Sequence, residues 1–339
     1  MFALSQELFA KKFNFSFFSL TKLFFYIIII LSRITKGIIM TKTTKALLAT
    51  FIGNSMFCFS FLASRLILER TSVFVLLSSR FILAFLIMNI LVLFGVFKLD
   101  FKGKNLPAVI ALGIAQPIAY FICESYGITL TNSSFSGTLI AMVPIFAFFF
   151  AELFIGEKFK ASQLLWGLCS VIGVIIISVG GGDDSPVTPL GVILLLGAVA
   201  SGAMFNVLSK LTSKEFSPFE RTYVMFALDS VCFTVCALFE TEGKLPFIIG
   251  ELIFDPAYTL SLIFLSLFSS VVAFTLLNYA TTYIAVRQTS IFSCWTTVVS
   301  IIAGIVFLNE PFGGIRQVIG SALILIGVYM VSIAGAGRD

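Results

Sequence analysis

The 339-residue chain contains no histidine. That absence removes the commonest metal ligand and the usual general base of intramembrane hydrolases, so metal-dependent and Ser-His chemistry start without their main residue. Charge is also scarce: only 12% of residues are Asp, Glu, Lys or Arg, against 59% hydrophobic residues and a mean hydropathy of +1.08. A chain of this length cannot bury so much apolar surface inside a water-soluble globule, so its solvent is lipid. There is no Walker-type phosphate loop and no stretch polar enough for a soluble catalytic domain, which leaves neither ATP hydrolysis nor membrane-enzyme chemistry an anchor. No cofactor and no metal are expected. The six cysteines, Cys58, Cys123, Cys169, Cys232, Cys236 and Cys294, all lie within apolar runs and read as small core residues, not as a disulfide framework. The net charge of +5 is no nucleic-acid signal, because its distribution follows the membrane.

What is present is a succession of apolar stretches, each long enough to cross a hydrocarbon layer about 30 Å thick as a helix of about 20 residues. Ten follow Met40, near 46–67, 72–97, 106–128, 134–155, 161–180, 189–210, 219–240, 257–280, 286–308 and 313–335. Turn chemistry separates them, as in KLDFKGKN at 98–105, GGGDDSPVTP at 180–189 and KEFSPFE at 214–220. With the residues before span one in the cytoplasm, inner segments collect twelve Lys and Arg residues, among them Lys98, Lys102, Lys104, Lys158, Lys160, Lys210, Lys214, Arg221 and Arg287. Outer ends hold four: Arg65, Arg70, Lys244 and Arg316. Residues 1–44 form an N-terminal extension whose apolar part, 13–32, is interrupted by Lys22 and reads as a peripheral or accessory segment.

The chain also repeats itself. FFFAELFIGEKF at 148–159 returns as IAGIVFLNEPF at 302–312, with Glu157 and Glu310 separated by 153 positions. The same shift aligns Tyr126 with Tyr279, Thr129 with Thr282 and Gly167 with Gly320. The expected fold is therefore an all-α integral membrane protein of ten transmembrane helices in two five-helix repeats, at 45–180 and 189–335. Five is odd, so the second repeat enters the bilayer inverted. Such inverted repeats suit alternating access around a site between the halves.

GEKFKASQLLWGLCSVIGVIII and NEPFGGIRQVIGSALILIGVYM share a Glu, a short spacer, Gln and an apolar run ending in Gly. With the 5+5 repeat and the IGNS opening of span one, the chain resembles the drug/metabolite transporter superfamily, specifically its EamA-type members, over about residues 45–335. The resemblance implies a carrier of small organic solutes in the cell (cytoplasmic) membrane, most plainly an exporter of amino acids or related metabolites. The alternatives are an uptake carrier or facilitative exchanger for a nucleotide-like or other metabolite, then a channel or membrane enzyme. It also implies a central cavity ringed by spans one, three, six, eight and nine. Asn54, Ser55, Gln116, Tyr120, Asn206, Asn278, Tyr279 and Trp295 fall on these spans and make a candidate set for a polar organic solute. Interhelical hydrogen bonding is the competing use of each.

Charges inside hydrocarbon stand out further, since each costs roughly 2.5 to 3.5 kcal/mol near a helix centre. Arg80 lies eight residues into span two, about 12 Å from its outer end at 1.5 Å per residue. Glu124 sits near the outer end of span three, at a similar level. Either the two make a recognition site in which Arg80 grips a carboxylate, or Arg80 snorkels to the surface and Glu124 meets water. Asp229, near the middle of span seven, is the candidate proton-coupling group, with a structural hydrogen bond as the alternative. Glu157 and Glu310 are expected to accept backbone N–H groups at the start of the helix that follows each, as structural punctuation. Gly313, Gly320 and Gly327, every seven residues along span ten, predict close helix contact with span five or with a second copy in a homodimer.

Overall fold

In a computed structural model of the chain, which describes residues 41–68, 70–131, 139–178, 188–296, 298 and 314–335, every described regular element is a helix. In chain order these are α1 (Lys42–Leu68), α2 (Val73–Leu93), α3 (Leu106–Gly113), α4 (Tyr120–Thr129), α5 (Val143–Ile155), α6 (Ala161–Ser178), α7 (Pro189–Thr212), α8 (Pro218–Glu240), α9 (Leu245–Leu252), α10 (Pro256–Ile263), α11 (Ala273–Tyr283), α12 (Val286–Ile291) and α13 (Ile315–Gly335). Two π-helical stretches, Ile114–Ala119 and Phe264–Val272, join α3 to α4 and α10 to α11. Among the described residues five helices are long and apolar enough to cross a membrane: Val73–Leu93, Leu106–Thr129, Pro189–Thr212, Pro218–Glu240 and Pro256–Tyr283. Val143–Ile155, Ala161–Ile177 and Ile315–Val331 are shorter apolar helices.

The helix starts are written in dipeptides. Thr188-Pro189, Ser217-Pro218 and Asp255-Pro256 each pair a side-chain acceptor with a proline at the first helical position, where its missing N–H costs nothing. Thr188 accepts from Gly191 N at 3.1 Å and Asp255 from Ala257 N at 2.9 Å. Ser217 and Glu220 close a reciprocal capping box on α8. Gly156, with φ of 72°, ends α5 in the left-handed conformation that favours glycine.

The loops gather at two ends. At a lysine-rich end, called basic below, Lys104 Nζ lies 3.0 Å from Glu220 Oε2, Asp100 N donates to Glu220 Oε1 at 2.8 Å, and Asn105 N donates to Glu215 Oε2 at 2.7 Å. At the opposite end Arg70 Nε lies 2.5 Å from Asp255 Oδ2, and Thr188 N donates to Leu130 O at 3.1 Å. Each of these contacts joins loops that alternating spans assign to one face. α9 was not foreseen: its eight residues lie in what the sequence reads as a loop, because they are too few to span a bilayer.

Between the ends, α8 lies along α2, α11 along α1, α7 along α4 and α5, and α13 along α6. Phe81, Phe226, Phe233 and Phe274 bring α2, α8 and α11 together, with ring centroids 5.3 to 5.6 Å apart. The α6–α13 seam is the closest. A Cβ on Gly320 would meet Ile177 Cγ1 at 2.5 Å and the Gly173 carbonyl at 2.6 Å, and one on Gly327 would meet Ser170 Oγ at 2.0 Å. The glycine stripe thus docks on span five of the same chain; Gly313 lies outside the described residues, as do 1–40, Glu310 and the GGGDD run. Cys123, Cys169, Cys232, Cys236 and Cys294 are free thiols.

Gly327→Leu should therefore force the seam apart and destabilise the protein by about 1–3 kcal/mol, read as a lowered thermal midpoint in detergent. Gly250→Ala, where a Cβ meets nothing within 4 Å, should leave it unchanged; equal midpoints for Gly327→Leu and wild type would refute the close seam.

Candidate functional site

Backbone irregularity at mid-membrane depth is tolerated only where protein or a cavity supplies the missing hydrogen bonds. The two π-helical stretches meet that description, and they are related. A shift of 153 carries Ile114–Ala119 onto 267–272, so both interruptions end at equivalent positions. Gln116 is the break point of the first, with an extended backbone (φ −151°, ψ 130°) ahead of Pro117. The second is lined by the buried hydroxyls of Ser266, Ser269 and Ser270.

Arg80 is directed at this second interruption. It is 3% exposed and does not snorkel. Its Nε donates to Ser270 Oγ at 2.8 Å and its Nη2 to Ser269 Oγ at 3.1 Å. The guanidinium lies 5.4 Å from the Phe81 ring and 5.6 Å from that of Phe121. Glu124 and Asp229 both act on Arg80 electrostatically, yet among the described residues no ion pair within 4.0 Å joins it to either. Glu124, 8% exposed, accepts from Tyr120 OH at 3.0 Å. Asp229 is 0% exposed, and neither carboxylate oxygen has a hydrogen-bond partner among the described residues. Arg80, Tyr120, Glu124 and Asp229 thus form one buried group contributed by α2, α4 and α8 and facing the π-helical link to α11.

The remaining candidates fall elsewhere. Ser55 Oγ accepts from Trp295 Nε1 at 3.1 Å, and the indole packs on Phe51 at 5.0 Å. Asn54 donates to the carbonyl of Thr50 in its own helix at 2.8 Å. Asn206 bonds to Gly202 O at 3.0 Å and accepts from Thr289 Oγ1 at 3.3 Å. Tyr279 packs against Tyr283, ring centroids 4.8 Å apart and planes tilted by 55°. Asn278 is fully engaged: Oδ1 accepts from Ser209 Oγ at 2.6 Å, and Nδ2 donates to Thr222 Oγ1 at 3.0 Å.

The Asn278 carbonyl leads to a residue that sequence reasoning misplaced. Arg221, counted above as an interfacial cation, is 0% exposed. Its guanidinium donates to Ser209 O and Oγ, to Thr281 Oγ1 at 3.3 Å, to Asn278 O and to Thr282 Oγ1 at 2.6 Å. The signal was available in S-P-F-E: a capping box that starts the helix at Pro218 puts Arg221 one turn inside it. Glu157 also needs correction. The N-terminus of the following helix is served by Gln163, whose Oε1 accepts from Lys160 N at 3.0 Å. Glu157 Oε2 accepts from Val286 N at 3.0 Å and lies 3.9 Å from Arg287 Nη1, so it caps α12, from the other half of the chain.

Comparison with known proteins places this geometry in a group. The profile of the EamA-like transporter family matches residues 44–179 and again 189–333. The chain is 31% identical over 295 residues to the uncharacterized transporter YcxC of Bacillus subtilis, covering 85% of this chain and 92% of that one. It is 27% identical to an uncharacterized transporter of Archaeoglobus fulgidus over 84% and 96% of the two chains. A probable terminal-alkyne amino-acid exporter of Streptantibioticus cattleyicolor is 25% identical over 70% of this chain and 76% of its own. A crystal structure described only as that of a protein superposes with a TM-score of 0.70 at 16% identity, covering 86% of this chain and 98% of that one, a likeness of fold. Two matches to one family, one in each half of a helical membrane chain, make this protein a member of the EamA-like transporter family.

Proposed function

We propose that the chain is a secondary active carrier of ten spans in two inverted five-helix halves, 45–180 and 189–335, moving small organic solutes across the cell membrane by alternating access. The observation that carries this reading is the pair of interruptions 153 residues apart, Ile114–Ala119 and Phe264–Val272. Interrupted helices at corresponding places in two halves are where carriers of repeated architecture bind solute. The basic end is cytoplasmic on the distribution of Lys and Arg, and both ends of the ten-helix core face it.

Amino acids or related metabolites, exported, are the solute class that the site supports best. Arg80 supplies a planar cation for a carboxylate, and Glu124 supplies anionic oxygens for an ammonium group. In the conformation described, the Nε and Nη2 donors of Arg80 are held by Ser269 and Ser270. A carboxylate gripped along the Nε–Nη2 edge would displace both serines, which would tie solute binding to movement of the interrupted helix. Asp229, buried without a hydrogen-bond donor among the described residues, is the group assigned to proton coupling. The exporter relative agrees with this class.

Counterflow of radiolabelled amino acids into proteoliposomes tests the assignment. Arg80→Lys, which keeps the charge and loses the fork, should lower flux at least tenfold; undiminished flux in Arg80→Ala would discard the recognition role. Asp229→Asn should retain counterflow while losing transport driven by an imposed proton gradient. Single-channel currents in place of saturable counterflow would overturn the carrier reading.

The charge cluster makes a separate prediction about stability. Arg80→Met removes a buried cation near two buried carboxyls together with its hydrogen bonds to Ser269 and Ser270, and should cost about 1–3 kcal/mol. Adding Asp229→Asn should restore part of the loss, a coupling that a thermal double-mutant cycle in detergent reads directly.

A further inference from the structure

The turn between α11 and α12, residues 282–287, is held at the basic end by three side chains from three different elements. Arg221, from the first turn of α8, donates to Asn278 O, Thr281 Oγ1 and Thr282 Oγ1. Lys210, from the last turn of α7, donates to Ile284 O at 3.0 Å and Thr282 O at 3.5 Å. Glu157, from the turn between α5 and α6, accepts from Val286 N at 3.0 Å.

The charges match the poles they touch. The C-terminal carbonyls of a helix carry partial negative charge and its N-terminal N–H groups partial positive charge. Two cations therefore close the end of α11, and one carboxylate closes the start of α12. Arg221 has no carboxylate partner among the described residues; its counter-charge is the peptide dipoles at the ends of α7 and α11. The three anchors belong to α5–α6, α7 and α8, none of which is bonded to α11 or α12 by the chain at this turn. A displacement that carries the α11–α12 junction away from α5–α6, α7 and α8 at the basic end breaks all three sets of contacts together.

We propose that the 282–287 turn is the gate of the basic end, with Arg221, Lys210 and Glu157 as positioning residues that hold it shut and release it as a unit. The proposal rests on the carrier reading for its purpose, but its geometry does not depend on which solute is moved. Packed elements with two discrete arrangements transmit such all-or-none changes, whereas a brace would only add stability.

Pulsed electron–electron distance measurement tests it on the full chain in liposomes, with spin labels at Lys214→Cys and Tyr283→Cys and the native cysteines replaced. Both labelled positions are exposed. The unmodified gate should give a dominant short distance. Glu157→Gln keeps an acceptor for Val286 N but removes the charge, and Thr282→Val removes one acceptor of Arg221 at nearly constant volume. Each should raise the long-distance population at least threefold, and Arg221→Lys should raise it further. The two mild variants keep the test decisive if Arg221→Lys fails to fold. Unchanged distance distributions in Glu157→Gln and Thr282→Val, with or without a lowered melting temperature, would overturn the proposal and leave these residues as a brace. Shifted distances without amino-acid counterflow would support the gate while overturning the assigned solute class.

Discussion

A hydrocarbon layer offers no water to an N–H, a C=O or a charge, so each must find its partner inside the protein. That constraint organises this chain. Hydroxyls turn back onto their own helices, as Thr50 does to Ala46 O at 3.0 Å, Ser79 to Val75 O at 2.8 Å and Thr212 to Leu208 O at 2.7 Å. Among the described residues the Nη1 and Nη2 groups of Arg221 donate only to carbonyl and hydroxyl oxygens, and its Nε has no hydrogen-bond partner. Against that background, Asp229, buried with neither carboxylate oxygen hydrogen-bonded among the described residues, stands apart from ordinary membrane packing.

The same constraint explains what could be read from the sequence. Apolar runs of about 20 residues interrupted by Thr-Pro, Ser-Pro and Asp-Pro leave little freedom in where helices begin, and most described helices start within a few residues of the expected places; α5 does not, beginning at Val143 after a turn at 141–142, well inside the stretch expected at 134–155. The 153-residue repeat anticipated more than the sequence stated, since it also relates two backbone interruptions that no run of residue types announces. Pro117 marks the first, but nothing comparable stands in the second.

Partners across the fold were not legible. The spacing between Glu157 and Ala161 made the next helix the natural recipient of its carboxylate, whereas its bond runs to Val286, 129 positions away. Arg80 finds Ser269 and Ser270 still farther along the chain, 189 and 190 positions away. A linear pattern says which side chains need a partner; it does not say which of several helix ends lies nearest. Arg221 failed differently. The expected span began at 219, which put Arg221 at its very end among the interfacial cations, and only the contacts of its guanidinium show that it is buried.

The seam between α6 and α13 carries a consequence for assembly. Small residues on both helices are consumed in bringing two backbones into contact, and Ser170 Oγ donates across the junction to Ile324 O at 3.3 Å. A neighbouring copy that approached along this stripe would find no groove to enter, because the ridge of its own twin already fills it. Any second copy would have to meet other, bulkier surfaces, such as those bearing the exposed Leu165 and Tyr329, where in a bilayer contact would trade one oily neighbour for another and specificity would have to come from shape.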